Sequence, residues 1–121
     1  MRIVTVVVLT MFAAGAAAID PATALSKAKE DITAGNNTAA LQRLREAMAG
    51  AASLTNLQQR RAALSAIHFY SALALSNGGE KEPAAAELRS FLFYSSGSKL
   101  DASRYPADFV RLFEDVSRGV S

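Results

Sequence analysis

Residues 77–94 read NGGEKEPAAAELRSFLFY, and the fold turns on how this stretch is taken. Asn77-Gly78-Gly79 offers the residue types that accept the left-handed backbone of a tight turn. Glu80, Glu82 and Pro83 suit the start of a helix. Acids are favoured at the positive end of the helix dipole, and proline is tolerated where the N–H groups have no intrahelical acceptor. Ala84, Ala85, Leu88, Phe91 and Leu92 then recur at helical spacing and make an inner face. Upstream of the turn, residues 62–75 are apolar almost all round, interrupted by Ser65, His68 and Ser71. A helix apolar on most faces is buried on most faces, so this is the expected central helix. Central helix, glycine turn and second helix make an antiparallel hairpin around which the remaining chain packs.

Working outward toward the N-terminus, Thr55-Asn56-Leu57-Gln58 fits a capping box, which starts the central helix near Thr55 and lets it run to Ser76. Asp20-Pro21 reads as an N-cap followed by proline at the first helical position. Leu25, Ala28 and Ile32 follow at helical spacing, and Gly35 ends that helix. Asn37 or Thr38 can cap the next helix, whose apolar face is Ala40, Leu41, Leu44, Ala47 and Met48, and Gly50 is its expected stop. Toward the C-terminus, residues 95–98 (SSGS) end the second arm. A connection anchored by Leu100 and Tyr105 follows, with Asp101 placed to cap a turn, and Pro106 starts a last helix with Phe109, Leu112, Phe113 and Val116 on one stripe. No stretch after residue 18 has strand character. The expected fold is all-α: five helices, arranged as two stacked antiparallel hairpins with the C-terminal helix as a cap.

Residues 1–18 stand apart. Met1-Arg2 is a short positive start, Ile3 to Ala14 is an apolar run, and Ala16-Ala17-Ala18 supplies the small residues a signal peptidase requires. The rival reading is an uncleaved anchor, but the run is shorter than the ~20 residues that span a bilayer comfortably. The expectation is a cleaved signal peptide over 1–18, a single domain over 19–121 with no stable membrane span, and a periplasmic or secreted location.

Composition narrows the function classes. A net charge of +2 on 121 residues is too small to point to nucleic acid or an anionic membrane. With no cysteine, disulfides, thiolate metal sites, thiol catalysis and a lipid anchor on cysteine are excluded. Half the residues are apolar, but alanine supplies much of that half, so the core is thin.

An internal repeat runs through the pattern. When Gly35 is set over Gly79, Ala40 falls on Ala84, Leu44 on Leu88, Ala47 on Phe91 and Met48 on Leu92. Glycine makes the turn, the small alanine lets two helices approach, and the larger residues fill the groove between neighbours. This pattern resembles the second half of a tetratricopeptide repeat, over roughly residues 24–47 and 67–91. The Trp and Tyr of that family's first-helix signature are missing, and the repeat length departs from about 34 residues. The tail, Leu100-Asp101 followed by Pro106, Phe109 and Phe113, is similar to the closing segment of exported bacterial proteins of this type. The resemblance implies a non-enzymatic scaffold or adaptor that binds a protein or peptide between hairpins. Two further readings are a periplasmic chaperone or pilotin-like assembly factor, and a small helical ligand-binding protein. Repeat arrays need about three units to bury a continuous core, so a shorter one also raises the prospect of a homo-oligomer.

Candidate chemistry is sparse. His68 is the single histidine, and its helical neighbours Leu64, Ser65, Ser71 and Ala72 offer no metal ligand. A pair with Ser65 or Ser71 has no orienting acid or oxyanion loop evident in the sequence. It reads as a partly buried structural residue. Glu80, Glu82, Asp108, Glu114 and Asp115 read as helix-end or solvated acids, and Gly78-Gly79 lacks the Lys and Ser/Thr of a phosphate loop. No catalytic residue, cofactor or metal is expected.

Partner-binding candidates are Arg43, Arg60 and Arg61, a local basic concentration suited to an acidic protein or peptide, and Tyr70, Phe93 and Tyr94. All aromatic residues after residue 18 lie between Phe69 and Phe113. Phe91 and Phe93 are about 200° apart on a helix. Either the last helix covers the second face or an aromatic strip stays open to a partner.

Overall fold

A computed structural model describes residues 20–119; the expected signal segment, residues 1–18, lies outside them. The described chain is all-α, with five helices: α1 (Pro21–Thr33), α2 (Asn37–Ala52), α3 (Leu57–Asn77), α4 (Lys81–Tyr94) and α5 (Ala107–Ser117). One 3-10 turn, Ala102–Arg104, lies between α4 and α5. Among the described residues there is no strand, and no helix is long and apolar enough to cross a membrane.

The α1–α2 and α3–α4 turns are built alike. Gly35 and Gly79 both have a φ of +83°. After α1, the Asn36 N–H donates to the Asp31 carbonyl at 2.7 Å and the Gly35 N–H to the Ile32 carbonyl at 3.0 Å. After α3, the Glu80 N–H donates to the Leu75 carbonyl at 2.8 Å and the Gly79 N–H to the Ser76 carbonyl at 3.0 Å. Both are Schellman ends, in which glycine takes the left-handed position and two orphan carbonyls are satisfied. At the matching depth in the following helices, Ala40 and Ala84 are fully buried, as are Leu44 and Leu88.

Packing is mainly between helices adjacent in sequence. α1 lies along α2, α3 lies along α4, and α2 packs on α3. Smaller contacts join α1 to α3, α4 to α5 and α3 to α5. Two cores result. Ala24, Ala28, Ala40, Leu44, Ala47, Ala51, Ile67 and Ala74 form the first. Phe69, Ala72, Leu73, Leu88, Phe109, Phe113 and Val116 form the second. Ile32 and Tyr70 touch both, so α3 presents one face to each core.

Several expected boundaries shift. Gly50 does not stop α2; it is buried inside the helix, which continues to Ala52. The glycine has no side chain to hold neighbours apart, so its interior place costs about 1 kcal/mol of helix propensity without blocking the helix. The cap of α3 is Asn56 rather than Thr55, and its side-chain oxygen accepts the Gln59 N–H at 2.9 Å. The cap position of α2 is Asn36, one residue before Asn37, and its side chain makes no capping bond. Asp20 occupies the cap position of α1, but its carboxylate accepts the Thr23 hydroxyl at 2.8 Å instead of a backbone N–H. Pro106 sits at the cap of α5, with α5 itself starting at Ala107.

α5 closes the second core with Phe109, Phe113 and Val116, all buried. Burial of each is worth about 1.5–3 kcal/mol. Phe113 reaches Phe91 at a ring separation of 6.1 Å, and Phe109 reaches Phe69 at 5.5 Å. The last helix therefore covers the Phe91 face of α4, while Phe93 remains 76% exposed.

Candidate functional site

The long side of α3 carries a groove. At its centre Ala62 is exposed and Ala66 half-buried, one helical turn apart on the same face. Two cavities meet at this pair. Toward α1, a cavity of about 470 Å³ is lined chiefly by apolar groups of Pro21, Leu25, Leu54, Ala63 and Ile67. Toward α5, a cleft of about 610 Å³ is bounded by α3, the end of α4, the connection after it and Phe113. Its aromatic lining is Phe69, Tyr70, Phe91, Tyr94, Tyr105 and Phe113, and its charged lining is Arg61, Lys99, Asp101 and Arg104.

The cleft follows from local chemistry. Ser95 ends α4, and its hydroxyl is 2.6 Å from that of Ser65, fixing the end of α4 on α3. Asp101 caps the 3-10 turn by accepting the Ser103 hydroxyl at 2.7 Å and the Ser103 N–H at 3.1 Å. These two bonds, the hydroxyl's first, hold the Asp101 carboxyl below its ordinary value of 3.8. The turn delivers Tyr105 onto Phe69 at a ring separation of 5.6 Å. Loss of water around Tyr105 pushes its phenol above its ordinary value of 10.0.

The six residues expected to bind a partner separate into groups. Arg61, Tyr70 and Tyr94 line the same cleft. The Lys29 ammonium stands 5.1 Å from the Tyr70 ring centre, adding a cation beside that wall. Arg60 turns away and donates to the Leu54 carbonyl at 3.2 Å, tying down the α2–α3 connection. Arg43 faces Asp31 of α1 at 3.4 Å, so it joins α1 to α2. Phe93 lies outside the cleft lining, edge-on to Tyr94 at 5.2 Å.

Two parts of the site were not read from the sequence. Lys99 and Arg104 join Arg61 at the cleft rim. Their signal was the pair Leu100 and Tyr105, which anchor the connection to the core and so bring the charges between and beside them. The second is an acid for His68. The Glu87 carboxylate lies 2.6 Å from His68 Nδ1, across α3 and α4, and the Tyr94 ring stacks on the imidazole at 5.9 Å and 10°. The orienting acid that the local sequence around His68 does not supply thus comes from the neighbouring helix. Among the described residues, neither Ser65 nor Ser71 is hydrogen-bonded to the ring, and no cluster of three or more His, Asp or Glu side chains is placed to hold a metal.

No protein-family model, curated protein or solved structure matches the chain.

Proposed function

We propose that the chain is an exported, non-enzymatic scaffold or adaptor of tetratricopeptide-like architecture that binds a protein or peptide segment along α3. The observation that carries this reading is the groove: two cavities that meet at Ala62 and Ala66, on the helix shared by both cores. The matched glycine turns and the order of packing support the repeat architecture, because α1 meets α3 as α3 meets α5 across each intervening helix. In this reading α1, α3 and α5 line the inner face, and α2 and α4 form the outer one.

A linear segment suits the groove better than an enclosed small ligand. Arg61, Lys99, Asp101 and Arg104 on the cleft wall are all exposed, so the cleft opens along its length. Small-ligand pockets bury about 70–90% of their ligand. The His68–Glu87 pair serves as a structural tie between α3 and α4, with no nucleophile bonded to it among the described residues.

The test is co-purification from envelope extracts with the chain starting at Ile19. Ala62→Trp, which fills the groove at an exposed position, is expected to abolish capture. Ala86→Trp, on the exposed outer side of α4, is expected to leave it intact. Equal capture by both variants would reject the groove. Export is tested separately by sequencing the N-terminus of the processed protein, which is expected to begin at Ile19.

A further inference from the structure

Resting on the groove reading, we infer that the occupant of α3 is an acidic peptide segment, with large apolar side chains toward α1 and carboxylates toward the 3-10 turn. Two cavities share the Ala62 and Ala66 face of α3 and differ in the charge of their linings. The α1 end is walled mainly by apolar side chains. The other end sets Arg61, Lys99 and Arg104 around aromatic walls, against the single carboxylate of Asp101.

That carboxylate is already engaged by Ser103 through two hydrogen bonds. Ion pairs among the described residues join Arg43 to Asp31, His68 to Glu87, Arg111 to Asp108 and Arg118 to Asp115. None of them takes up Arg61, Lys99 or Arg104. Among the described residues no carboxylate lies within ion-pair distance of these three cations, and Arg104 acts on Asp101 only from farther off, so the rim suits a ligand that brings carboxylates next to apolar groups. Planar guanidinium groups at two of the three positions suit two-point contact with carboxylates.

The groove's two halves also give the ligand a direction. A segment in the reverse sense places its carboxylates against Leu25, Leu54 and Ile67, where they lose water without gaining a counter-charge. A segment with scrambled order meets the same penalty in part. The sequence order of apolar and acidic residues is therefore expected to matter as much as composition.

The experiment is selection from a random peptide library displayed on phage, using the chain from Ile19 as bait, with selected peptides remeasured by fluorescence anisotropy. Enriched peptides are expected to carry acidic residues on one side of large apolar ones. Their affinity is expected to fall about tenfold in the Arg61→Glu, Arg104→Glu double variant and to weaken steeply with salt. All substituted positions are exposed, and helical circular dichroism checks that each variant folds. Peptides that bind through the groove, judged by loss in Ala62→Trp, yet show no acidic bias and no response to charge reversal overturn the acidic assignment and leave the groove reading standing. Peptides insensitive to Ala62→Trp, or no enrichment at all, overturn both.

Discussion

The α1–α2 half and the α3–α4–α5 half share a turn but differ in what fills them. Both turns place glycine at a φ of +83° and close on the same pair of backbone bonds. Yet the first core is mostly alanine around Leu44, and the second is built from phenylalanines around Leu88. Alanine allows helices to approach closely but removes little apolar area from water. Phenylalanine removes much more and needs a lid, which α5 supplies. The comparison teaches that the turn geometry is independent of core content, whereas the stability of each half is set by that content.

The largest expected effect comes from removing the lid's anchor. Phe109 is fully buried and packs on Phe69 and Tyr105. Phe109→Ala is expected to cost about 3–5 kcal/mol, seen as a lower chemical-denaturation midpoint and exchange of α5 amides before those of α1 and α2. A loss confined to global unfolding, with α5 protected to the end, would contradict its role as a separable lid.

Leu44 and Leu88 provide a matched pair. Each is buried at the equivalent depth, at 2% and 0% exposure. Truncation to alanine is expected to cost about 2–5 kcal/mol, with Leu88→Ala the larger. Alanine-lined helices can slide together and shrink the cavity, while rings wedged between three helices cannot. Equal losses would show that the two cores collapse equally well.

The turns are expected to behave identically. A Cβ at Gly35 or Gly79 meets no atom within 4 Å, so the penalty of Gly→Ala is purely conformational. It is expected to be about 1–2 kcal/mol at both sites in thermal unfolding. A difference beyond that range would reveal that one turn is strained by its surroundings.

Smaller still is the His68–Glu87 tie, whose counterpart in the first half is the Arg43–Asp31 pair between α1 and α2. The coupling measured by a double-mutant cycle of His68→Ala and Glu87→Ala is expected to be about 0.5–1.5 kcal/mol. At the foot of the scale stands Tyr105. Its phenol titrates above 10.0 in the folded chain because burial disfavours the phenolate. Its contribution is full below about pH 10 and is lost as pH rises through the raised folded-state value. Tyr105→Phe is expected to flatten that part of the alkaline stability profile; an unchanged profile would show that Tyr105 titrates freely.

Much of the fold was legible because helices are local. The apolar spacing of α4 and α5, the glycine ends at 35 and 79 and the turn capped by Asp101 all follow from neighbours a few residues apart. Gly50 misled because glycine both ends helices and lets them pack closely, and burial alone tells which. The α3 cap fell one residue late because Thr55 and Asn56 are both good caps, and it is the Asn56 side chain that accepts the Gln59 N–H. Arg61, Tyr70 and Tyr94, named from composition and patterning, line one cleft, whereas Arg43, Arg60 and Phe93 do not. Glu87, Lys99 and Arg104 were not read from the sequence because their placement beside His68 and the cleft depends on other elements.

The sequence by itself determined that the described chain is helical, that glycine turns fall at 35 and 79, and that its aromatic side chains begin at Phe69. Periodicity, glycine and proline act within a few residues, so no tertiary information was needed. Only the tertiary structure decided that α5 covers Phe91 but leaves Phe93 open, that His68 meets Glu87, and that three cations gather beside aromatic walls along α3. Those outcomes depend on the angles at which helices cross and on how far apart two cores hold them. Such distances are set jointly by many side chains, and no local pattern carries them.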